Sequence, residues 1–257
     1  MADYNSMELM ITIAARTLED GAVVVVGTGA PCAAAMLAQM TGSPNLIIMF
    51  EAGGIAPMLP TMPISVGDSR TSHKGLMAST MAEIMENCQR GLVDYCFLGG
   101  AQIDTFGNLN STFIGTDHQK PNVRFPGSGG ANDLASLCWQ TLVITQQDNR
   151  RFVEKLAFCT TPGYLTGGNS RVEAGLPPGT GPYKVITNIG AYGYHPESKR
   201  MMLLSLHPGC TVDDVNANTG FEMLIPDKVD KTQKPTALEL AILREKVDPL
   251  KYIIGRE

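Results

Sequence analysis

Residues 22–54 read AVVVVGTGAPCAAAMLAQMTGSPNLIIMFEAGG, and the order of residue types in this stretch decides the class of fold. Ala22 and the four valines after it form a short β-branched run of the kind buried on both faces of a parallel sheet. After Gly27, Thr28 and Gly29 come the small, mostly unbranched residues 30–40, which suit a helix and are closed by Gly42. Residues 46–50 then supply a second buried strand. Strand, glycine turn, helix and strand make a β-α-β unit. The unit predicts an α/β protein with an open, mostly parallel sheet and flanking helices.

Outward from this unit the same alternation continues. Residues 7–18 carry helical spacing stopped by Gly21, residues 77–90 predict another helix, and residues 93–98 a strand that ends in Gly99 and Gly100. Residues 52–75 are rich in Gly and Pro with weak periodicity, so they are expected to be an ordered surface excursion. Further strands are predicted at 142–145, 155–159, 183–188 and 201–206, and a helix from Asn132. A closing helix is expected at 235–247, with Pro235 in its first turn. No repeat or composition shift marks a boundary, so residues 1–257 are expected to form a single domain.

Composition removes several classes of function. With 44% apolar residues the chain can bury a core. The balance of 20 Lys+Arg against 25 Asp+Glu, a net charge of −5, lacks the clustered positive charge of a nucleic-acid groove or a polybasic membrane face. The apolar runs fall far short of the roughly 20 residues that span a bilayer. The opening MADYNSMELM has no basic-then-apolar signal pattern, so a cytoplasmic protein is expected. Cys32, Cys88, Cys96, Cys138, Cys159 and Cys210 include no CxxC pair, and His73, His118, His195 and His207 share no spacing. Neither a metal site nor a disulfide framework is expected.

Two glycine loops and one acid carry the chemistry. The turn at Gly27 and Gly29 sits where backbone N–H groups and a helix start could hold phosphate, but a dinucleotide fingerprint wants a third glycine where Cys32 stands. A tight turn alone and a loop lining an active site both remain open. Glu51 follows residues 46–50 directly, so a carboxylate is delivered at the C-terminal tip of a strand, the ligand-binding edge of an open parallel sheet. The plainer reading is a strand-end acid in water. Gly53 and Gly54 weigh against it, because they let another backbone or a ligand come close. A second cluster, RFPGSGGAN at 124–132, offers Gly127, Ser128, Gly129 and Gly130 as donors to a developing oxyanion. An ionised glutamate beside such donors suggests acyl chemistry, since a positioned, partly dehydrated carboxylate is a covalent nucleophile.

Taken in order, VVVGTGAP at 24–31, FEAGG at 50–54, SVGDSR at 65–70, LGGAQIDTFGNLNST at 98–112, RFPGSGGAN at 124–132, RRFVEKLAFCTTPGYL at 150–165 and DDVNANTGFE at 213–222 resemble the family I coenzyme A transferases. The likeness is to the beta chains of the glutaconate type. It implies the NagB/RpiA-like fold of that family and a ping-pong transfer of coenzyme A between an acyl-CoA thioester and a small carboxylic acid. In that reaction Glu51 passes through a mixed anhydride to a glutamyl-CoA thioester. It also implies a hetero-oligomer with an A (alpha) subunit, coenzyme A as substrate with no permanently bound cofactor, and the 127–130 loop as the oxyanion and CoA site.

In the more widespread motif of the family Asn and Gly follow the glutamate, whereas Ala52 follows Glu51 here, so the Asn donor must be replaced by backbone, by Ser128 or by the partner. Gly27, Gly29, Gly53, Gly54, Gln102 and Asn108 are candidates for shaping the pocket, against a plain turn scaffold. Arg70 and Arg124 could grip a distal carboxylate or a CoA phosphate, or simply form surface ion pairs. Competing readings are a CoA-thioester hydrolase, a ring-opening or decarboxylating enzyme on the same scaffold, and a non-catalytic subunit.

Overall fold

A computed structural model describes residues 4–255. Their contacts fall into two compact units, the first running up to Phe97 and resuming at Lys234, the second being Leu98–Gln233. The chain crosses from one unit to the other within a strand, where no linker composition marks the passage, and composition alone therefore reads residues 1–257 as one domain.

In the first unit α1 (Ser6–Thr17) starts at a capping box: Asn5 accepts from the Glu8 amide and the Glu8 carboxylate accepts from the Asn5 amide, both at 2.9 Å. β1 (Val23–Val26), α2 (Ala30–Gln39) and β2 (Ile47–Phe50) realise the β-α-β unit. β1 and β2 run parallel in register from Val23 opposite Ile47 to Val26 opposite Phe50. α2 buries every residue from Cys32 to Ala38, and its alanines let α1 pack closely across it. Beyond β2 lie the short antiparallel strands β3 (Gly54–Ile55) and β4 (Met77–Ala78). The expected helix starts only at α3 (Met81–Gln89), because Thr80 and Glu83 form a second capping box there. β5 (Tyr95–Leu98) pairs parallel with β1.

The second unit opens with two hairpins, β6 (Gln102–Ile103) with β7 (Leu109–Asn110) and β8 (Phe113–Ile114) with β9 (Val123–Arg124). α4 (Ala131–Leu137), β10 (Gln140–Ile144), the single turn α5 (Ser170–Glu173), β11 (Gly181–Ile186), β12 (Gly190–Tyr194), β13 (Met201–Leu206), α6 (Val212–Ala217) and β14 (Asp230–Lys231) follow. β10, β11, β12, β13 and β14 are neighbours in that order, parallel at both ends and antiparallel in the middle. Leu142, Val185, Ile186, Tyr192 and Leu203 are fully buried in its core.

The strand expected at 155–159 is absent. The Ala157 amide donates to the Gln102 side-chain oxygen at 3.1 Å instead of to a ladder, and most of the segment is exposed. A short apolar run does not by itself distinguish a strand from a loop that covers a hairpin.

The chain then returns to the first unit. α7 (Ala237–Ile242) continues as a π-type turn, Leu243–Val247, so the closing helix is real but ends in a wider turn. Arg244 forks onto Glu8 at 2.6 and 2.9 Å, Arg16 forks onto Glu239 with both contacts at 2.7 Å, and the Asn5 side-chain amide donates to the Ile254 carbonyl at 2.7 Å. No helix among the described residues is long and apolar enough to cross a membrane.

Candidate active site

Glu51 is the first central residue of a tight turn between β2 and β3, closed by the Gly53 amide donating to the Phe50 carbonyl at 2.9 Å. It is half-buried. Because Val26 lies opposite Phe50, Gly27 leaves β1 beside the point where Glu51 leaves β2. The register therefore gathers Gly27, Gly29 and Glu51 at one end of the strands, the edge at which open parallel sheets bind ligands. Gly29 is the N-cap of α2 at φ +86°, a conformation that favours glycine, whereas a Cβ on Gly27 would meet nothing within 4 Å.

The two glycines after Glu51 are explained by closeness. A Cβ on Gly53 would lie 2.1 Å from the Ser79 carbonyl oxygen, and one on Gly54 1.9 Å from that of Thr71. Hydrogen bonds draw these backbones together: the Ser79 amide donates to the Gly53 carbonyl at 2.8 Å, Leu76 to Ile55 at 3.0 Å, and Met58 to the His73 carbonyl at 2.9 Å. The excursion after the acid thus returns as a clamp on the turn that carries it. The Ser79, Thr80 and Glu83 capping signal is present in the sequence, but its contact with Gly53 is non-local and leaves no sequence mark.

In the second unit the 127–130 loop is built the other way. Gly127 at φ +96° and Gly129 at φ +51° need glycine for conformation, and a Cβ on either would meet nothing within 4 Å. The loop is fixed at its start, where the Gly127 amide donates to the Ser111 carbonyl at 2.9 Å and the Ser111 hydroxyl donates to the Gly127 carbonyl at 3.0 Å. At its far end Gly130 is the N-cap of α4, and Ser128 accepts from Ala131 and Asn132. The result is a short arch whose backbone conformation is set by glycine, with open space beside the Cα atoms of Gly127 and Gly129.

Gln102 and Asn108, candidates for shaping the pocket, are each held in hydrogen bonds of the hairpin and the turns beside it. Gln102 accepts from Asn110 at 2.8 Å and from Ala157 at 3.1 Å. Asn108 donates to Asp104 and to the Leu165 carbonyl, both at 2.8 Å, and accepts from Gly163 at 2.7 Å and Leu165 at 3.1 Å. Burial pushes the Asp104 carboxyl above its ordinary range, against the pull of its bonds from Asn108 and Phe106. Arg124 donates to the His118 carbonyl and stacks over Phe113, 5.6 Å from the ring centre. Burial pushes the Cys32 thiol up to about 12, so it offers no thiolate near neutral pH. Among the described residues no group of three His, Cys, Asp or Glu side chains is placed to hold a metal ion.

Comparison with known proteins places the chain in a family. The family profile for coenzyme A transferases matches residues 7–218. The chain is 41% identical over 245 residues to the B subunit of the 3-oxoadipate CoA-transferase of Pseudomonas knackmussii, covering 95% of this chain and 94% of that one. It is 36% identical to the B subunit of the glutaconate CoA-transferase of Acidaminococcus fermentans, covering 97% and 96%. A crystal structure of that glutaconate enzyme superposes with a TM-score of 0.93 at 33% identity over 99% of both chains. At 26% identity over 84% of the chain and 82% of the relative, it is also similar to the cholesterol ring-cleaving hydrolase IpdB subunit of Mycobacterium bovis.

Proposed function

The chain belongs to the coenzyme A transferase family, and from that premise we propose that it is the catalytic B subunit of a two-subunit enzyme that moves coenzyme A between an acyl-CoA and a dicarboxylic acid of glutaconate or 3-oxoadipate size. The observation that supports this most is Glu51, a half-buried carboxylate at the C-terminal tip of a parallel strand, on a turn clamped by Ser79 and Thr71. A carboxylate needs no general base. Its nucleophilicity is raised by fixed aim and partial dehydration, and a clamped turn supplies the aim.

In the proposed cycle a Glu51 oxygen attacks the thioester carbonyl, and CoA leaves as thiolate from an acyl-glutamyl anhydride. The thiolate attacks the glutamyl carbonyl, expelling the first acid as its carboxylate and leaving a glutamyl-CoA thioester. An incoming carboxylate attacks that thioester and the same two steps run in reverse. The 127–130 loop of the second unit is the proposed oxyanion and CoA site, positive backbone angles at Gly127 and Gly129 setting its conformation before substrate arrives. The A subunit is the proposed partner, the named relatives being B subunits.

Intact-mass analysis of the chain co-expressed with its A subunit, after brief incubation with glutaconyl-CoA or 3-oxoadipyl-CoA and no acceptor acid, tests the proposal. A CoA adduct mapped to Glu51 is the expected result. Steady release of free acid without an adduct would assign the chain to the hydrolases instead.

A further inference from the structure

The SVGDSR stretch at 65–70 has no part in the scheme above, and its arginine is not free to grip a substrate. Arg70 donates through Nε to both Asp68 oxygens at 3.0 and 3.1 Å and through Nη2 to Oδ2 at 2.5 Å. Through Nη1 it donates to the Thr61 hydroxyl at 3.1 Å and the Met62 carbonyl at 2.9 Å. Asp68 in turn accepts from the Arg70 amide at 2.9 Å and the Ile64 amide at 3.2 Å, capping the 3-10 turn Ser69–Ser72. Within that turn Thr71 is buried, its amide and hydroxyl both donating to the Asp68 carbonyl at 2.9 and 2.7 Å. Its own carbonyl is the oxygen that rests on Gly54, three residues after Glu51.

We propose that Arg70 and Asp68 are positioning residues: their forked ion pair holds the 3-10 turn that props Gly54, and thereby sets the direction in which Glu51 faces its substrate. The inference rests on Glu51 being the nucleophile. A four-residue 3-10 turn has too few bonds to keep its place unaided. The guanidinium supplies the missing rigidity by joining Asp68 to residues 61 and 62 in one planar network. Misdirection of a nucleophile by about 1 Å costs on the order of 100-fold in rate, so the pair acts on kcat while leaving the substrate's own contacts alone.

The test uses the chain co-expressed with its A subunit, comparing wild type, Arg70→Ala, Arg70→Lys and Thr61→Val. The single-turnover rate of glutamyl-CoA formation from glutaconyl-CoA is measured together with kcat and KM. Arg70→Ala is expected to slow capture and kcat by on the order of 100-fold with KM within about threefold of wild type. Arg70→Lys keeps the charge without the fork and is expected to recover part of the loss, and Thr61→Val to lose severalfold. If Arg70→Ala yields no assembled enzyme, the Lys and Val variants carry the same comparison. Capture at wild-type rate in the variants, or a raised KM with kcat unchanged, overturns the positioning role. A wild-type enzyme that captures no CoA on Glu51 overturns the functional reading itself, and this inference with it.

Discussion

The turn that follows Glu51 and the 127–130 loop both depend on glycine for backbone angle, at Gly53, Gly127 and Gly129, but only the turn depends on it for closeness as well. At Gly53 and Gly54 neighbouring backbone occupies the space a side chain would take, within 2.1 and 1.9 Å. At Gly127 and Gly129 the space is open and only the backbone angle forbids a side chain. One region is glycine-rich because neighbouring backbone presses on it, the other because its arch needs positive backbone angles in open space. A nucleophile gains from the first arrangement and a set of preset amides from the second.

The largest effect belongs to the acid on the gripped turn. Glu51→Gln keeps the shape and removes the nucleophile, and is expected to lower transfer by more than about a thousandfold, with no CoA adduct by mass. Gly54→Ala drives a Cβ into the Thr71 carbonyl, and is expected to cost about 3 kcal/mol in urea unfolding along with most of the activity. Gly129→Ala has room for its methyl and is expected to cost only about 1 kcal/mol, from the positive φ alone. If the two alanine variants are equally destabilised, the distinction between gripped and open glycines fails.

Acidification sharpens the contrast between the units with a smaller effect. In the second unit His207 lies between the Thr187 carbonyl at 2.7 Å and the Thr232 hydroxyl at 2.9 Å, and burial lowers its pKa below 6.5 against the Thr187 bond, which raises it. An unfolded histidine takes a proton below that value while the folded one does not. The stability His207 contributes is therefore present above pH 6.5 and lost as pH falls below it. In the first unit Glu8 and Glu239 titrate lower. Burial raises their pKa, but the bonds from Arg244 and Asn5 to Glu8, and from Arg16 and Thr236 to Glu239, bring the net value below 4.5. Their contribution is present above pH 4.5 and lost only in stronger acid. Unfolding midpoints at pH 7.5 and 5.5 are expected to differ for the wild type, and to differ less for His207→Gln.

What could be read from residues 22–54 followed from local pattern. Two apolar runs, a small-residue helix and an acid at a strand tip each depend on neighbours in sequence, and they stand in the structure as β1, α2, β2 and Glu51. The glycines after Glu51 mark a close approach, yet the approaching groups lie many residues further on: Ser79 is brought back by a backbone bond that any residue types could make, and Thr71 by a turn tied through the Arg70 side chain. β12 is illegible for a related reason. Gly190 and Gly193 interrupt its pattern, while a Cβ on Gly190 would lie 2.7 Å from the Ser205 carbonyl across the ladder, a constraint no single strand displays.

The return of the chain to its first unit also orders events in time. Glu8 waits for Arg244, 236 positions later, and Arg16 for Glu239, so residues beyond Lys234 complete the helical layer over the strands that carry the nucleophile. During synthesis the whole of Leu98–Gln233 leaves the ribosome before those partners do. The half of the molecule translated first is thus the half whose helical layer is finished last.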